Sequence, residues 1–140
     1  YQGLSKPKKM AAGLVVHKEN PTAYVLSQEN GYMGYEDLGD ASVYNAKYRD
    51  ELGRQMGKIY VGLLFPSKEI TTTYQQRENG IATGHILGIT TYQPNTTYTY
   101  YFGSGWNKNP NTSFHSLTDW EAHLSHAAKC VRNPLKLSVK

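Results

Sequence analysis

The chain has 140 residues, of which 39% are apolar, 19% charged and 12% aromatic, a composition that fits one folded domain and excludes intrinsic disorder. No apolar run approaches the roughly 20 residues of a membrane-spanning helix, so no membrane span is expected. The net charge of +4 comes from lysines and arginines near the two ends, without a basic stripe among the aromatic residues, which argues against a nucleic-acid partner.

The N-terminal part of the chain alternates short β-prone runs with turn residues. We expect residues 1–10, which are polar and basic, to form a linker or tail before a single β-rich domain over residues 11–140. The Asn30-Gly31 step predicts a hairpin, because this pair tolerates the positive backbone angles of a tight turn. Strands are predicted at 13–17, 24–27 and 32–36.

The central part contains further strands and one long polar segment. A second Asn-Gly step, Asn79-Gly80, predicts a second hairpin. Residues 37–57 carry many charges and few apolar side chains, so we expect a long functional or insertion loop with a helical turn near 46–52. Strands are predicted at 58–65, 69–75, 81–92 and 96–103.

The C-terminal part has helical periodicity. Apolar residues recur at helical spacing over residues 116–132, residues 118–121 have the form of a capping box, and Pro134 ends the helix. Residues 135–139 alternate as a final strand. The predicted fold is mainly β, an antiparallel β-sandwich or part of a larger supersandwich, with one C-terminal amphipathic helix. The apolar stripe of this helix consists of Trp120, Leu124, Ala127, Ala128 and Val131.

Cofactor and metal motifs are missing from the sequence. The single cysteine, Cys130, excludes an intramolecular disulfide. His123 and His126 lie three residues apart on the predicted helix, but no third ligand has a suitable spacing. Because there is also no phosphate-binding loop and no nucleophile elbow, we expect neither a metal nor a cofactor.

Two histidines and two carboxylates are the candidate catalytic residues. His85 lies within a predicted strand, where it is either a core histidine or a general acid or base at the floor of a cleft. His17 ends the first strand and by alternation shares the face of Val15; it is either a surface histidine or an assistant to His85. Glu36 and Asp37 are neighbours that point to opposite faces of a strand unless the chain turns there. We expect one of the two carboxylates to orient a histidine.

Aromatic and basic residues form the candidate substrate-binding set. The chain has 12 Tyr against 3 Phe and 2 Trp, which is typical of Tyr-rich sheets and also of wet binding surfaces. Aromatic rings stack on the apolar faces of sugar rings, while amides and cations bind hydroxyl and carboxylate groups. The tryptophan that follows the Tyr-rich run is either such a platform or a plug of the core. The candidate substrate-binding residues are Tyr101, Trp106, Arg77 and Lys108.

Several short motifs occur in a characteristic order along the chain. They lie at 13–15 (GLV), 36–39 (EDLG), 61–63 (VGL), 84–85 (GH), 100–106 (YYFGSGW), 119–120 (DW) and 133–137 (NPLKL). In this order they resemble a bacterial family of unknown function that is common in the polysaccharide-utilisation loci of Bacteroides-like bacteria. Members of that family often occur beside or fused to unsaturated glycuronyl hydrolases. The resemblance implies that this chain is the C-terminal portion of a longer protein; it transfers no catalytic residue.

These observations predict a domain of a carbohydrate-active protein. Its ligands would be uronate-containing oligosaccharides, and an enzyme of this kind would be a lyase or a glycoside hydrolase. The alternatives are a non-catalytic carbohydrate-binding module and a purely structural accessory domain. We expect a periplasmic, cell-surface or secreted location. Because an open sandwich leaves sheet edges exposed, we also expect a missing N-terminal part or a second copy of the chain to cover them.

Overall fold

The computed structural model describes residues 5–39 and 57–136. Its strands form two antiparallel sheets that pack face to face, with a helix on the outer face of the larger sheet. The elements are β1 (Lys8–His17), β2 (Tyr24–Ser27), β3 (Tyr32–Leu38), β4 (Lys58–Leu64), β5 (Thr71–Asn79), β6 (Ala82–Tyr92), β7 (Tyr101–Trp106) and α1 (Leu117–Arg132). The mainly β, antiparallel prediction with one C-terminal helix is confirmed.

The strand order places the two predicted hairpins in different sheets. One sheet has the order β1-β6-β5 and the other the order β2-β3-β4-β7. Asn30-Gly31 joins β2 to β3, and Asn79-Gly80 lies between β5 and β6, with a positive φ at both glycines. Both hairpin predictions are therefore confirmed.

Some strand boundaries differ from the predicted ones. The first strand already begins at Lys8, within the segment predicted to be a linker or tail. The strand predicted at 96–103 begins only at Tyr101. The chain first turns at Asn95, which has a positive φ. The N–H and the hydroxyl of Thr96 both donate hydrogen bonds to Gln93 O, which closes this turn. Leu135 and Lys136 are not in a strand. The rest of the predicted final strand and the helical turn near 46–52 lie outside the described residues.

The core between the sheets consists of alternate residues of each strand. Along β1 and β6 every second side chain is buried, so one face of that sheet is apolar and the other meets solvent. The facing side of the larger sheet contributes alternate residues of β3 and β4. The buried cluster comprises Ala12, Leu14, Val16, Met33, Tyr35, Leu63, Phe65, Ile70 and Ile86.

The helix approaches the larger sheet closely because two glycines lie beneath it. Gly34 and Gly62 are directly paired on β3 and β4. A Cβ atom at either position would lie 2.5 Å from a Leu124 methyl carbon. Trp120 packs beside Leu124, and its indole N–H donates a hydrogen bond to Val61 O at 3.1 Å. The glycines therefore form a floor into which the apolar stripe of α1 fits.

The helix begins with a capping box that lies two residues before the predicted one. Ser116 is the N-cap, and its hydroxyl accepts a hydrogen bond from Asp119 N at 3.1 Å. Asp119 in turn accepts hydrogen bonds from the Ser116 hydroxyl and from His115 N, and these bonds lower the pKa of its carboxyl group. The prediction of a box at 118–121 was wrong, because an aspartate at the third helical position completes the same arrangement with Ser116.

Removal of the Leu124 side chain tests the packing of the helix on the sheet. Leu124 is 3% exposed, so we expect Leu124→Ala to lower the free energy of unfolding by about 2–5 kcal/mol. The measurement is urea denaturation followed by tryptophan fluorescence. Leu135→Ala is the matched control, because Leu135 is 97% exposed. Equal losses in the two variants would contradict close packing of α1.

Candidate functional site

His17 and Asp37 form a direct pair between the two sheets. His17 ends β1, and Asp37 lies near the end of β3. The Nδ1 atom of His17 is 3.1 Å from both carboxylate oxygens of Asp37. The two side chains are 16% and 14% exposed, so the pair is largely shielded but retains access to solvent. This is the one predicted pairing of a carboxylate with a histidine that the described residues contain.

A β-bulge gives His17 its orientation. The pairing of β1 with β6 shifts between Val16 and His17, so that His17 pairs with Ala82 rather than with the next residue in register. Strict alternation would place His17 on the outer face with Val15, which is 41% exposed. The His17 ring instead lies edge-on to Tyr35 of the facing sheet. The prediction that His17 shares the face of Val15 was wrong, because the register shifts after Val16, where Thr83 of β6 has no partner on β1 and the alternation across the pair is interrupted.

Tyr35 supports the pair from within the core. Its hydroxyl accepts a hydrogen bond from His17 N at 3.0 Å, and its side chain is fully buried. Burial is the main reason that the pKa of Tyr35 is raised to about 12, with a further contribution from the charge of Asp37. Tyr35 is therefore a neutral hydroxyl at physiological pH, and it holds the backbone of the bulge in place.

Glu36 belongs to a different environment from its neighbour Asp37. It lies on the opposite face of β3, as the alternation predicted, and its carboxylate is 2.8 Å from Lys58 Nζ. The directly paired Tyr60 has a buried hydroxyl without a hydrogen-bond partner among the described residues. Burial and the charge of Glu36 raise the pKa of Tyr60 to about 12. Glu36 thus lies on the helix side of the sheet and does not meet either candidate histidine.

His85 lies apart from the pair. It is paired with Val15 on the outer face of the smaller sheet and is half-buried. Among the residues that the structure describes, its side chain forms no hydrogen bond and no ion pair, while its backbone belongs to the sheet between Val15 and Gln75. Ile86 and every second residue before it form the buried side of β6. His85 lies on the other side of the strand and is therefore not a core residue. The structure therefore does not bring His85 to His17 or Asp37.

Trp106 lies in line with the His17–Asp37 pair on one face of the larger sheet. Asp37 pairs with Ile59 on β4, and Ile59 pairs with Trp106 on β7. Directly opposed residues of antiparallel strands share a face, and neighbouring strands are 4.7–4.9 Å apart. The backbone of Trp106 is therefore about 10 Å from that of Asp37. Trp106 is 46% exposed.

The same face continues along β7 with residues that the sequence analysis missed. Phe102 and Ser104 alternate with glycines and share the face of Trp106; Phe102 is 64% exposed. We call the surface formed by Ile59, Phe102, Ser104 and Trp106 the β4–β7 face. It contains a shallow depression of about 480 Å³ lined by Ile59, Ser104, Gly105, Trp106 and Asn109. Period-two alternation back from Trp106 was the signal that could have identified Phe102 and Ser104.

Lys108 lies at the same end of the sheet. Asn107 continues the ladder beyond β7, since its side-chain oxygen accepts a hydrogen bond from Lys58 N at 2.8 Å. The stem of Lys108 crosses Gly57, where an added Cβ would lie 2.8 Å from Lys108 Cγ. This position places a cationic side chain at the end of the sheet where Asp37 and Trp106 lie.

Two predicted substrate-binding residues are not part of this arrangement. Tyr101 and Trp106 are five positions apart on an unbroken strand, so Tyr101 lies on the opposite face, towards α1. Arg77 lies on β5, an edge strand of the smaller sheet that packs near β2 rather than β7. The predicted set is thus divided among three surfaces, and Trp106 and Lys108 remain near the His17–Asp37 pair.

Within residues 5–39 and 57–136, no group of three or more histidine, cysteine or acidic side chains is arranged to hold a metal ion. No helix in these ranges is both long and apolar enough to cross a bilayer.

Fold and site together define a two-sheet β domain with a flanking helix and a His–Asp pair at one end. The chain belongs to a family described as a domain of unknown function, DUF4861, which it matches over residues 1–137. Its resemblance to a family of unknown function is thereby confirmed. No protein of curated function and no solved structure matches the chain significantly.

The raised pKa values of Tyr35 and Tyr60 predict an alkaline transition. Both hydroxyl groups titrate at about 12 in the folded protein and near 10 when unfolded, so their contribution to stability is complete below pH 10 and disappears as the pH rises towards 12. We expect tyrosinate absorbance to appear in two phases, with the late phase accompanied by unfolding. Tyr35→Phe should reduce the late phase, whereas Tyr101→Phe, at a half-exposed position, should not. A single phase near pH 10 would contradict this assignment.

Proposed function

We propose that this domain binds uronate-containing oligosaccharides along the β4–β7 face, next to the His17–Asp37 pair. One observation carries this proposal. The pairing of β3, β4 and β7 aligns Asp37, Ile59 and Trp106 in one row, with His17 above the first of them. An aromatic platform and a potential acid–base group thus lie on one surface, about 10 Å apart.

The surface offers complementary groups for an acidic sugar. The half-exposed indole of Trp106 provides a flat apolar contact for a sugar ring, and Ser104 provides a hydroxyl group beside it. Lys108 supplies a cation for a uronate carboxylate at the same end of the sheet. Its position agrees with the basic balance of the whole chain, whose net charge is +4. An acidic oligosaccharide therefore fits this face better than a neutral one does.

His17 is the residue that this geometry favours for proton transfer. When Nδ1–H donates to the Asp37 carboxylate, the tautomer is fixed and Nε2 is left as the basic nitrogen of the ring. Such a base can remove the acidic proton beside a uronate carboxyl group in a lyase reaction, or assist the hydrolysis of a glycosidic bond. His85 is less suited to this role, because no carboxylate orients it.

The shallowness of the depression favours a second candidate function. A catalytic site usually encloses its substrate, whereas the β4–β7 face is an open strip with an exposed Phe102. A non-catalytic carbohydrate-binding module would use the same aromatic residues and would need no proton transfer. The resemblance to proteins of polysaccharide-utilisation loci supports both candidates, and both would place the domain in the periplasm or at the cell surface.

Calorimetric titration with oligogalacturonides tests the binding proposal. We expect Trp106→Ala to weaken binding about tenfold, which corresponds to the loss of one aromatic contact of about 1.4 kcal/mol. Tyr101→Ala is the matched control, because Tyr101 lies on the same strand and faces the other side. Circular dichroism establishes that both variants are folded. Equal affinities of the two variants, or no binding by the unaltered protein, would overturn the proposal.

A second measurement separates catalysis from binding alone. Lyase cleavage creates an unsaturated uronate that absorbs in the ultraviolet, and hydrolysis creates a new reducing end. If the domain is catalytic, Asp37→Asn should reduce either signal at least 100-fold while leaving binding nearly unchanged. His85→Gln is the control histidine substitution and should have no effect. Binding without either product would identify the domain as a carbohydrate-binding module.

A further inference from the structure

Two adjacent depressions lie towards the opposite end of β1 from the His17–Asp37 pair. Their volumes are about 450 and 440 Å³, within the range of small-molecule sites. Tyr92 and Tyr98 line both of them, so the two depressions share a boundary. Met10 lines the smaller one and precedes His17 by seven residues, which is about 24 Å along a strand. We call the two depressions together the Tyr98 cleft.

A tight turn positions the segment that forms one wall of the Tyr98 cleft. Asn95 has a positive φ, and two hydrogen bonds donated by Thr96 close the turn. Residues 96–100, Thr-Thr-Tyr-Thr-Tyr, follow the turn and belong to no helix or strand. Tyr98 packs against the buried cluster between the sheets, and its hydroxyl donates to Gly88 O at 3.4 Å. The turn and this anchor therefore hold a hydroxyl-rich segment in place outside the strand ladders.

Residues with hydroxyl groups dominate the lining of the Tyr98 cleft. Five of the eleven residues that line the larger depression are threonines, and the others include a serine and two tyrosines. A hydroxyl group both donates and accepts hydrogen bonds, as the hydroxyl groups of a sugar also do. Among the described residues, Glu69 is the only charged one that lines either depression. Lys8 and Lys9 pair with Tyr92 and Thr91 on the neighbouring strand but line neither depression. The lining therefore matches a neutral, polyhydroxylated ligand.

Tyr100 supplies an exposed aromatic ring at the smaller depression. It is 47% exposed, and its ring centroid is 5.9 Å from that of Tyr98, with 46° between the ring planes. Because Tyr98 is anchored in the core, this contact restricts the orientation of the Tyr100 ring. A ring with one open side can stack on the apolar face of a sugar. The aliphatic part of the lining is small and consists of Met10, Ala11 and Pro66, so a sugar fits better than an apolar ligand does.

We propose that the Tyr98 cleft is a second saccharide site, which binds neutral oligosaccharides separately from the β4–β7 face. Tyr100 stacks on one sugar unit, and the threonine hydroxyls beside Tyr98 bind the hydroxyl groups of this unit and of the next one. The described lining offers no cation for a uronate carboxylate, and the charge of Glu69 repels one. The domain would then hold neutral and acidic sugars at two different places. The proposal does not rest on the uronate site.

Calorimetric titration of the full chain with three neutral tetrasaccharides, cellotetraose, xylotetraose and galactotetraose, is the first test. We expect at least one of them to bind, and Tyr100→Ala to weaken that binding about tenfold through the loss of an aromatic contact. Tyr101→Ala is the matched control, because Tyr101 is the next residue, is 50% exposed and lines neither depression. Circular dichroism establishes that both variants are folded. Absence of binding for all three sugars, or equal losses in the two variants, would overturn the proposal.

Cross-titration separates the Tyr98 cleft from the β4–β7 face. Trp106→Ala should leave the affinity for the neutral tetrasaccharide unchanged, and Tyr100→Ala should leave the affinity for oligogalacturonides unchanged. If oligogalacturonides do not bind at all, the proposed function fails while the result with the neutral sugar still decides this proposal. A neutral sugar whose binding is lost in Trp106→Ala would belong to the β4–β7 face and would overturn the second site.

NMR titration of the isotope-labelled chain tests the position of the ligand and its chemical class. The neutral tetrasaccharide should shift the amide signals of Thr97 and Tyr98 and leave that of Trp106 unchanged. Tetraglycine, a neutral peptide of similar length, should leave all three signals unchanged. Shifts confined to Trp106, or equal shifts of Thr97 and Tyr98 with tetraglycine, would overturn the assignment of the Tyr98 cleft to a neutral sugar.

Discussion

The close contact between α1 and the glycine floor of Gly34 and Gly62 is the constraint on which the larger sheet depends. A side chain at either glycine would collide with Leu124, so the helix can lie at this depth only over this pair. The hydrogen bond from Trp120 to Val61 O then fixes the helix along the sheet. This packing requires the two glycines to lie opposite each other, so it favours one register of β3 against β4. In the same register, Asp37 lies opposite Ile59.

The position of the His17–Asp37 pair depends on a second local feature, the bulge at the end of β1. Without it, the alternation that buries Val16 would direct His17 to solvent. Tyr35 stabilises the bulge by accepting a hydrogen bond from His17 N, and burial keeps its hydroxyl neutral. The candidate site thus depends on one local feature of each sheet, the register shift at His17 in the smaller sheet and the glycine pair in the larger one. Neither sheet alone would bring the imidazole to the carboxylate.

Local patterns were sufficient to predict the elements of this fold but not the site. The two Asn-Gly steps identified the hairpins, and the helical stripe identified α1, because these signals act over a few neighbouring residues. The bulge at His17 depends on the pairing of β1 with the distant β6, which alternation within one strand does not contain. The row from Asp37 to Trp106 likewise requires the register of three strands, of which β4 and β7 are separated by more than thirty residues. The strong β propensity of residues 96–100 was misleading, since a turn at Asn95 determines their conformation.

The proposed binding face of β7 and the edge of the sheet consist of different groups of the same strand. Sugar recognition uses side chains on one face, whereas strand pairing uses backbone groups that lie in the plane of the sheet. On the helix-side face of β7, Gly103 has no neighbouring atom within 4 Å of an added Cβ, whereas an added Cβ at Gly105 would lie 2.8 Å from the Phe114 ring. A charge at Phe102 or Ser104 would protect the edge, but it would also interrupt the apolar strip that a sugar ring needs. An outermost strand without charged side chains is therefore the expected consequence of the proposed aromatic binding face.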